Sequence, residues 1–493
     1  MIRERGGDVD FIQQNVIDPV SGFLWTYVLV YVLLGVGVYF GIRTRFVQVR
    51  LFPRMLRQIL SSREGSAGGI SSFQAFCVGL ASRVGTGNIA GVAIALTLGG
   101  PGAIFWMWVV ALVGMATALV EATLAQIFKV GSPDGSFRGG PAFYIERGLG
   151  SRRGGIVFAV LLIGTFGIAF NMVQANTIAD VLRGGHGVST GWSALGLMAL
   201  TAPVVFGGVR RIAKVAEVML PAMALAYVLL ALVIIVLNVG RVGEVLADIV
   251  TAAFGVGEAA AGITGGLAAA LLNGAKRGLF SNEAGMGSAP NAAATATTSH
   301  PVKQGLIQSL GVFVDTIVVC SATAFIILFA GDAVYTPGST TDGASLTQAA
   351  VAHELGDGTT WLMTVLVFVF AFSSVLGNYS YAEVNMSYLR AHRATLTVFR
   401  VVVVAVVGAG AVLELEAVWA LADVAMGLMA LVNLVAIVLL GRWALGALRD
   451  FERQVRAGVD PVFNTTGNPD LPRDVTDSVW TSEPHDEVAR ATI

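Results

Sequence analysis

The chain has 493 residues, 55% of them hydrophobic and only 13% charged, with a net charge of -1. Soluble domains carry about 25% charged residues, so a water-soluble globular fold is excluded, and a mean hydropathy of +0.74 agrees. The basic residues form no single footprint for nucleic acid, and five histidines with no HxxxH or HExxH spacing, two cysteines inside apolar runs (Cys77 and Cys320) and no nucleophile motif leave no basis for an enzyme, a metal centre or a disulfide.

A helix needs roughly 20 apolar residues to cross the hydrocarbon of a bilayer. In chain order the first such run is 19–42, which lies behind a polar segment and lacks a small-residue cleavage site, so it reads as a retained helix. The run 84–120 is too long for one span and turns naturally at Gly99-Gly100-Pro101-Gly102. Further runs follow at 154–179, 188–209, 218–240, 249–275, 305–330, 358–382, 395–413 and 417–440. The expected fold is all-α and integral to the membrane, with about eleven transmembrane helices.

Cytoplasmic loops accumulate Lys and Arg. The loop after the first run holds Arg43, Arg45, Arg50, Arg54, Arg57 and Arg63 against Glu64 alone, and every second loop thereafter is basic: Lys129 to Arg153, Arg210 to Lys214, Lys303, Arg390 with Arg393, and the tail from Arg442. Eleven crossings then place the N-terminus outside and the C-terminus in the cytoplasm, in a cell membrane. From about Gly458 the tail is polar and rich in Pro, Asp and Thr, and little fixed structure is expected there.

Two helices are badly made. One is interrupted by Gly85-Thr86-Gly87-Asn88-Ile89-Ala90-Gly91, and glycines at that density each weaken a helix by about 1 kcal/mol. The other starts near Ile263 and is expected to break from Asn273-Gly274 through Lys276-Arg277-Gly278 to Gly285-Met286-Gly287-Ser288. With the N-terminal helix set aside, these are the first and sixth of ten, so they open two five-helix halves of opposite orientation. That is the inverted-repeat plan of secondary transporters, whose midplane site lies between discontinuous helices. The expected division is 1–22 extracellular, 23–42 extra helix, 43–70 basic cytoplasmic loop, 71–238 first repeat, 239–441 second repeat and 442–493 cytoplasmic tail.

Half-helix N-termini suit a carboxylate, while freed carbonyls and hydroxyls suit a hard cation. Ser373 and Ser374 offer adjacent hydroxyls in the eighth of the ten helices, and Asn378 lies one turn beyond Ser374. Gln174 is poised for substrate or for helix pairing, and Asn176 for helix pairing. Glu121, Asp315 and Asp423 are intramembrane carboxylates, which are functional by default; Glu121 is expected to bond the unwound second break, and Asp315 and Asp423 to pin helices. Arg83, Lys276 and Arg277 flank the breaks at an awkward depth, so either carboxylates neutralise them in a cytoplasmic gate or the break points lie a few residues away.

The stretches RVGTGNIAGVA at 83–93, NMVQAN at 171–176 and KRGLFSNEAGMGSAP at 276–290, continued by QGL at 304–306 and AFSS at 371–374, resemble the signatures of the alanine or glycine:cation symporter family over most of the chain. The resemblance implies the leucine-transporter fold, and sodium-coupled symport of a small neutral amino acid. Proton coupling, or a non-coupled channel or sensor, are the alternatives. It further implies sodium held by the carbonyls of Ala81 and Val84 with Ser373 and Ser374, and Asn88 at a second sodium or at the substrate. The substrate is expected against Gly85, Thr86, Gly87, Gln174, Ser374 and Asn378, with Arg83, Glu121, Glu283 and Asp423 supporting the breaks or gates. One departure stands out: the family reads Gly-Trp-Ser-Tyr where this chain has Gly377-Asn378-Tyr379-Ser380. An amide in place of an indole implies room for a larger or polar neutral amino acid such as Ser, Thr, Asn or Gln.

Overall fold

In lipid each backbone N–H and C=O must find a partner inside the protein, and a computed structural model shows helices throughout. It describes residues 13–62, 70–132, 135–207, 209–255, 266–338, 343–389, 392–475 and 478–480. Helix α1 (Gln13–Arg43) is followed by the short amphipathic α2 (Phe52–Leu60). Helix α3 is a bent pair, α3a (Ser72–Arg83) and α3b (Gly87–Gly99), turned by 48°. Then come α4 (Gly102–Ile127), a small hairpin of β1 (Val130–Gly131) and β2 (Phe137–Arg138), α5 (Pro141–Leu149), α6 (Arg152–His186), α7 (Thr190–Val205), α8 (Val209–Leu237) and α9 (Val242–Ala253). The chain closes with α10a (Gly266–Asn282), α10b (Ala289–Ala293), α11 (Pro301–Ala333), α12 (Ala344–Leu355), α13 (Thr360–Tyr388), α14 (Arg393–Val412) and α15 (Leu415–Arg456).

Among the described residues eight helices are long and apolar enough to cross a membrane, and the α3 pair adds a ninth. The protein is therefore a multi-pass membrane protein. Helices α3, α4, α10 and α11 pack into one group and α6, α7, α13 and α14 into another, with α3a against α13 where the groups meet. Ser71 starts α3a with a capping box, its hydroxyl accepting from Gln74 N while the Gln74 side chain accepts from Ser71 N.

Five expectations need correction. The first helix begins at Gln13, ten residues before 23, and the last continues to Arg456, past 441. The apolar run 249–275 belongs to two helices, α9 and α10a; the expected start near Ile263 lies outside the described residues. The glycines at 274 and 278 do not break α10a. A Cβ on Gly274 would lie 2.5 Å from the Ala103 carbonyl oxygen and 2.7 Å from Trp106 Cβ, so these glycines let α10a pack closely on α4.

The tail, finally, is docked rather than loose over its described residues, 457–475 and 478–480. Three apolar side chains scattered through a polar stretch anchor it: Phe463, Leu471 and Trp480 are all buried. Phe463 N donates to the Ser299 carbonyl (2.9 Å), Trp480 Nε1 to the Gln126 carbonyl (2.9 Å), and Lys303 pairs with Asp460 (2.6 Å). Residues 481–493 lie outside the described part.

Candidate functional site

Helical bonding in α3 ends at Val84, whose ψ of 89° turns its carbonyl out of the ladder. The freed donors are taken up by one side chain of the break itself and one from a distant helix. Gly85 N donates to Asn88 Oδ1 (2.8 Å), and Thr86 donates to Gln174 Oε1 on α6 through both its N (3.3 Å) and its hydroxyl. On α13, Ser374 Oγ donates to the Ala81 carbonyl (2.9 Å), so a hydroxyl and a main-chain oxygen meet just before the break. Ser373 turns back onto the Phe370 carbonyl of its own helix (2.8 Å). The structure thus brings Ala81, Gly85, Thr86, Asn88, Gln174 and Ser374 together, all buried.

Asn378 is one turn along α13, but its amide is already engaged. Its Oδ1 accepts from Ser82 Oγ (2.7 Å) and its Nδ2 donates to Asn171 Oδ1 (3.2 Å). Asn378 thereby joins α3a to α6 next to the break. Asn88 reaches the other way, donating to Ser281 Oγ (3.0 Å) and to Asp315 Oδ1 (2.8 Å), while Asp315 also accepts from Ser281 (2.6 Å) and Thr316 (2.9 Å). Asp315 therefore ties α11 to both broken helices. Asn176 caps the end of α14, donating to the Gly410 (3.1 Å) and Leu413 (2.7 Å) carbonyls.

The second break follows α10a, where Glu283 (φ 58°), Gly285 (φ 87°) and Gly287 (φ 84°) alternate into left-handed backbone that ends the helix. Two buried carboxylates hold it. Glu121 on α4 accepts from Gly285 N (3.1 Å) and from Asn433 Nδ2 (2.8 Å). Glu283 accepts from Ser82 Oγ (2.8 Å) at the first break and from Ser288 Oγ (2.6 Å) across its own. One side chain thereby links both interruptions. Arg83 is buried beside them, donating to the Gln308 carbonyl (3.3 Å) within electrostatic reach of Glu121 and Glu283.

Of the two expectations for Lys276 and Arg277, a carboxylate-lined cytoplasmic gate or a break displaced by a few residues, the second fits the helix, since both residues lie within α10a and not at its end. Both face Asp423 near the start of α15, Arg277 at 2.6 Å and Lys276 at 3.7 Å, at the end of the bundle where α1 begins: Trp25 Nε1 donates to the Asp423 carbonyl (3.1 Å). This is the end away from the basic loops. Between that pair and the α3 break stands an aromatic stack that sequence reasoning missed. Phe170 and Phe280 have ring centroids 4.4 Å apart, Phe280 and Trp419 4.5 Å, and Arg277 lies 4.5 Å over Trp419. Ser82, Asn171, Ser281, Ser288 and Asn433 were missed too. All but Asn433 lie within or beside the quoted motifs, so the signal was proximity to a break.

These features define a class: a multi-pass membrane protein whose buried polar centre is built around two interrupted helices. The sequence model of the sodium:alanine symporter family matches residues 9–465. The chain belongs to that family, whose members are transporters and not enzymes. Among its relatives, the "Probable sodium/glutamine symporter GlnT" of Bacillus subtilis (strain 168) is 48% identical over 92% of this chain and 93% of its own length. The amino-acid carrier protein AlsT of the same organism is 48% identical over 93% and 96%. The sodium/alanine symporter AgcS of Methanococcus maripaludis is 40% identical over 88% and 95%.

Proposed function

We propose that the protein carries a small neutral amino acid across the cell membrane together with sodium, by alternating access around the α3 break. The observation that carries this reading is the meeting of Ser374 Oγ with the Ala81 carbonyl at that break (2.9 Å), beside two backbone donors. Sodium takes the oxygens of Ala81, Val84, Ser373 and Ser374, since a hard cation needs several uncharged oxygens where no carboxylate is at hand. The amino acid's carboxylate takes the donors of Gly85 and Thr86, now satisfied by the carboxamide oxygens of Asn88 and Gln174. Asn88, with Gly87 beside it, serves the substrate or a second sodium.

The eleven-crossing plan counts α7 and the broken α10 with the nine long spans. The two packing groups support an internal repeat: α3 and α4 pair with α10 and α11, and α6 and α7 with α13 and α14, so helices five apart among the ten share a group. The alternation of basic loops supports an outside N-terminus and a cytoplasmic C-terminus. Arg83, Glu121, Glu283 and Asp423 then hold the interrupted helices in register while the groups move.

Uptake by proteoliposomes under an imposed sodium gradient tests the reading, with a proton gradient as the alternative drive. Ser373→Ala combined with Ser374→Ala removes two ligands, and the sodium concentration for half-maximal uptake rises about tenfold or more, roughly 1.4 kcal/mol of lost affinity. An unchanged sodium dependence overturns the ligand set, and uptake driven equally by protons alone overturns the coupling ion.

Alanine and glycine are the substrates proposed first, with larger polar neutral amino acids accommodated; the similarity to a probable sodium/glutamine symporter supports that breadth. Asn378 sets the floor of the site through Ser82 and Asn171. Asn378→Trp fills that floor, so the preference narrows towards glycine and alanine with sodium dependence intact. Competition by the twenty amino acids on both forms is the measurement, and an unchanged ranking places Asn378 outside the pocket.

A further inference from the structure

Far from the substrate site, α1 leaves the hydrocarbon at Arg43 and turns sharply through Arg45 (φ 56°) and Phe46 (φ 51°), two consecutive non-glycine residues in left-handed backbone. Beside this corner lies the end of α15. Between them is a cleft of about 440 Å³ lined by Arg43, Arg45, Arg50, Arg449, Arg453 and Arg456, with Glu452 the single acidic residue in its wall. Glu452 is shared by Arg50 (2.6 Å) and Arg456 (3.3 Å), while Asp470 of the docked tail takes Arg449 (3.5 Å) and Arg453, which also pairs with Asp450 (2.5 Å) on its own helix. Among the described residues no carboxylate pairs with Arg43 or Arg45. Six guanidiniums converging on one cleft repel one another, and an anion between them relieves that repulsion; their planar forks match phosphate oxygens.

The wall also says where the anion comes from. Ile42 (59% exposed), Phe46 (56%) and Val49 (73%) stand on the same corner with their side chains uncovered. Apolar side chains beside a basic cleft at the end of a membrane-spanning helix suit a molecule with a phosphate head and hydrocarbon tails. We propose that this cleft binds the phosphate of an anionic phospholipid, with its acyl chains against α1, bridging the first helix to the end of the last. Asp470 competes with that phosphate for Arg449 and Arg453, so the lipid and the docked tail share a site.

The experiment is native mass spectrometry of the purified full-length protein in detergent, titrated with phosphatidylglycerol, with phosphatidylcholine, and with phosphatidylglycerol in the presence of millimolar inorganic phosphate. The first phosphatidylglycerol binds about tenfold or more tightly than phosphatidylcholine, and Arg43→Gln with Arg45→Gln lowers its affinity by about tenfold, each guanidinium near an anionic headgroup contributing several-fold. Arg153→Gln with Arg473→Gln removes the same charge elsewhere and leaves the first binding event unchanged. Equal affinity in the two double variants overturns the site. Inorganic phosphate that displaces the lipid at equal concentration overturns the lipid as its occupant. If the Arg43/Arg45 variant does not accumulate, Arg456→Gln alone takes its place, with a loss of about threefold; no loss there has the same overturning force.

Discussion

Replacing Gly85 by Val abolishes sodium-driven uptake while the protein still reaches the membrane. Gly85 sits where α3 is interrupted, and a Cβ built there runs into Ser374 Oγ and comes within 3.4 Å of Gln174 Oε1. Those are the groups that α13 and α6 bring to the break. Even one added carbon pushes the Ser374 hydroxyl away from the Ala81 carbonyl, and the branched side chain of Val fills the space proposed for sodium and carboxylate. Gly87 is a second case of the same kind: its Cβ would lie 3.0 Å from both Phe280 Cδ1 and Ser281 Cα, and backbone cannot yield as a side-chain tip can. Overpacking of this sort costs about 1 to 3 kcal/mol, which a membrane protein survives, so the loss falls on transport. Uptake in proteoliposomes, normalised to protein inserted, is the measurement. Full transport by Gly85→Val would show that the centre lies elsewhere.

Asp423→Ala produces the largest loss of stability. Asp423 is the carboxylate that faces Arg277 at 2.6 Å and Lys276 at 3.7 Å, and the Arg277 side chain is 4% exposed. Removing one partner of a buried pair leaves a charge without compensation, and the cost is about 3 to 5 kcal/mol. Lys276, at 14% side-chain exposure, can still reach towards water and softens the effect for its own charge. Removing both partners is gentler: Arg277→Met with Asp423→Leu restores much of the stability, because the most deeply buried charge leaves with its partner and only Lys276, which can reach water, is left unpaired. Thermal unfolding of the detergent-solubilised protein compares the two. Equal destabilisation by the single and the double variant would show that pairing is not what Asp423 supplies. Because Arg277 also covers the Trp419 ring, the double variant loosens the stack over the α3 break, and its uptake falls even where its stability recovers.

Much of this protein was legible without coordinates, for reasons rooted in the solvent. Lipid demands long apolar helices, so composition and run length identify the class, and a run of glycines in such a helix has few readings. The α3 interruption therefore fell where Gly85, Thr86 and Gly87 placed it, and the bond from Gly285 N to Glu121 was anticipated because an intramembrane carboxylate needs a donor. Ser374, Gln174 and Asn88 all bond backbone at that interruption.

Other features depended on neighbours distant in sequence. The second break was drawn too long at its start because a glycine that ends a helix and one that admits a close neighbour look alike in sequence; Gly274 and Gly278 receive α4, and the turn itself lies at the end of the expected stretch, in the left-handed φ of Glu283, Gly285 and Gly287. The spacing of Asn378 to Ser374 gives a shared helix face but not the neighbours on it, and only the packing shows that Ser82 and Asn171 bond its amide. Asp423 became the partner of Arg277 only because α15 passes α10a, 146 residues earlier in the chain. The tail looked structureless by composition, yet Phe463, Leu471 and Trp480 find buried places that the fold of the preceding helices creates. Periodicity and composition determine which segments enter the membrane and where they must unwind. Which side chains then meet is decided by packing between helices, since each contact joins residues whose separation in sequence carries no signal of their distance in space.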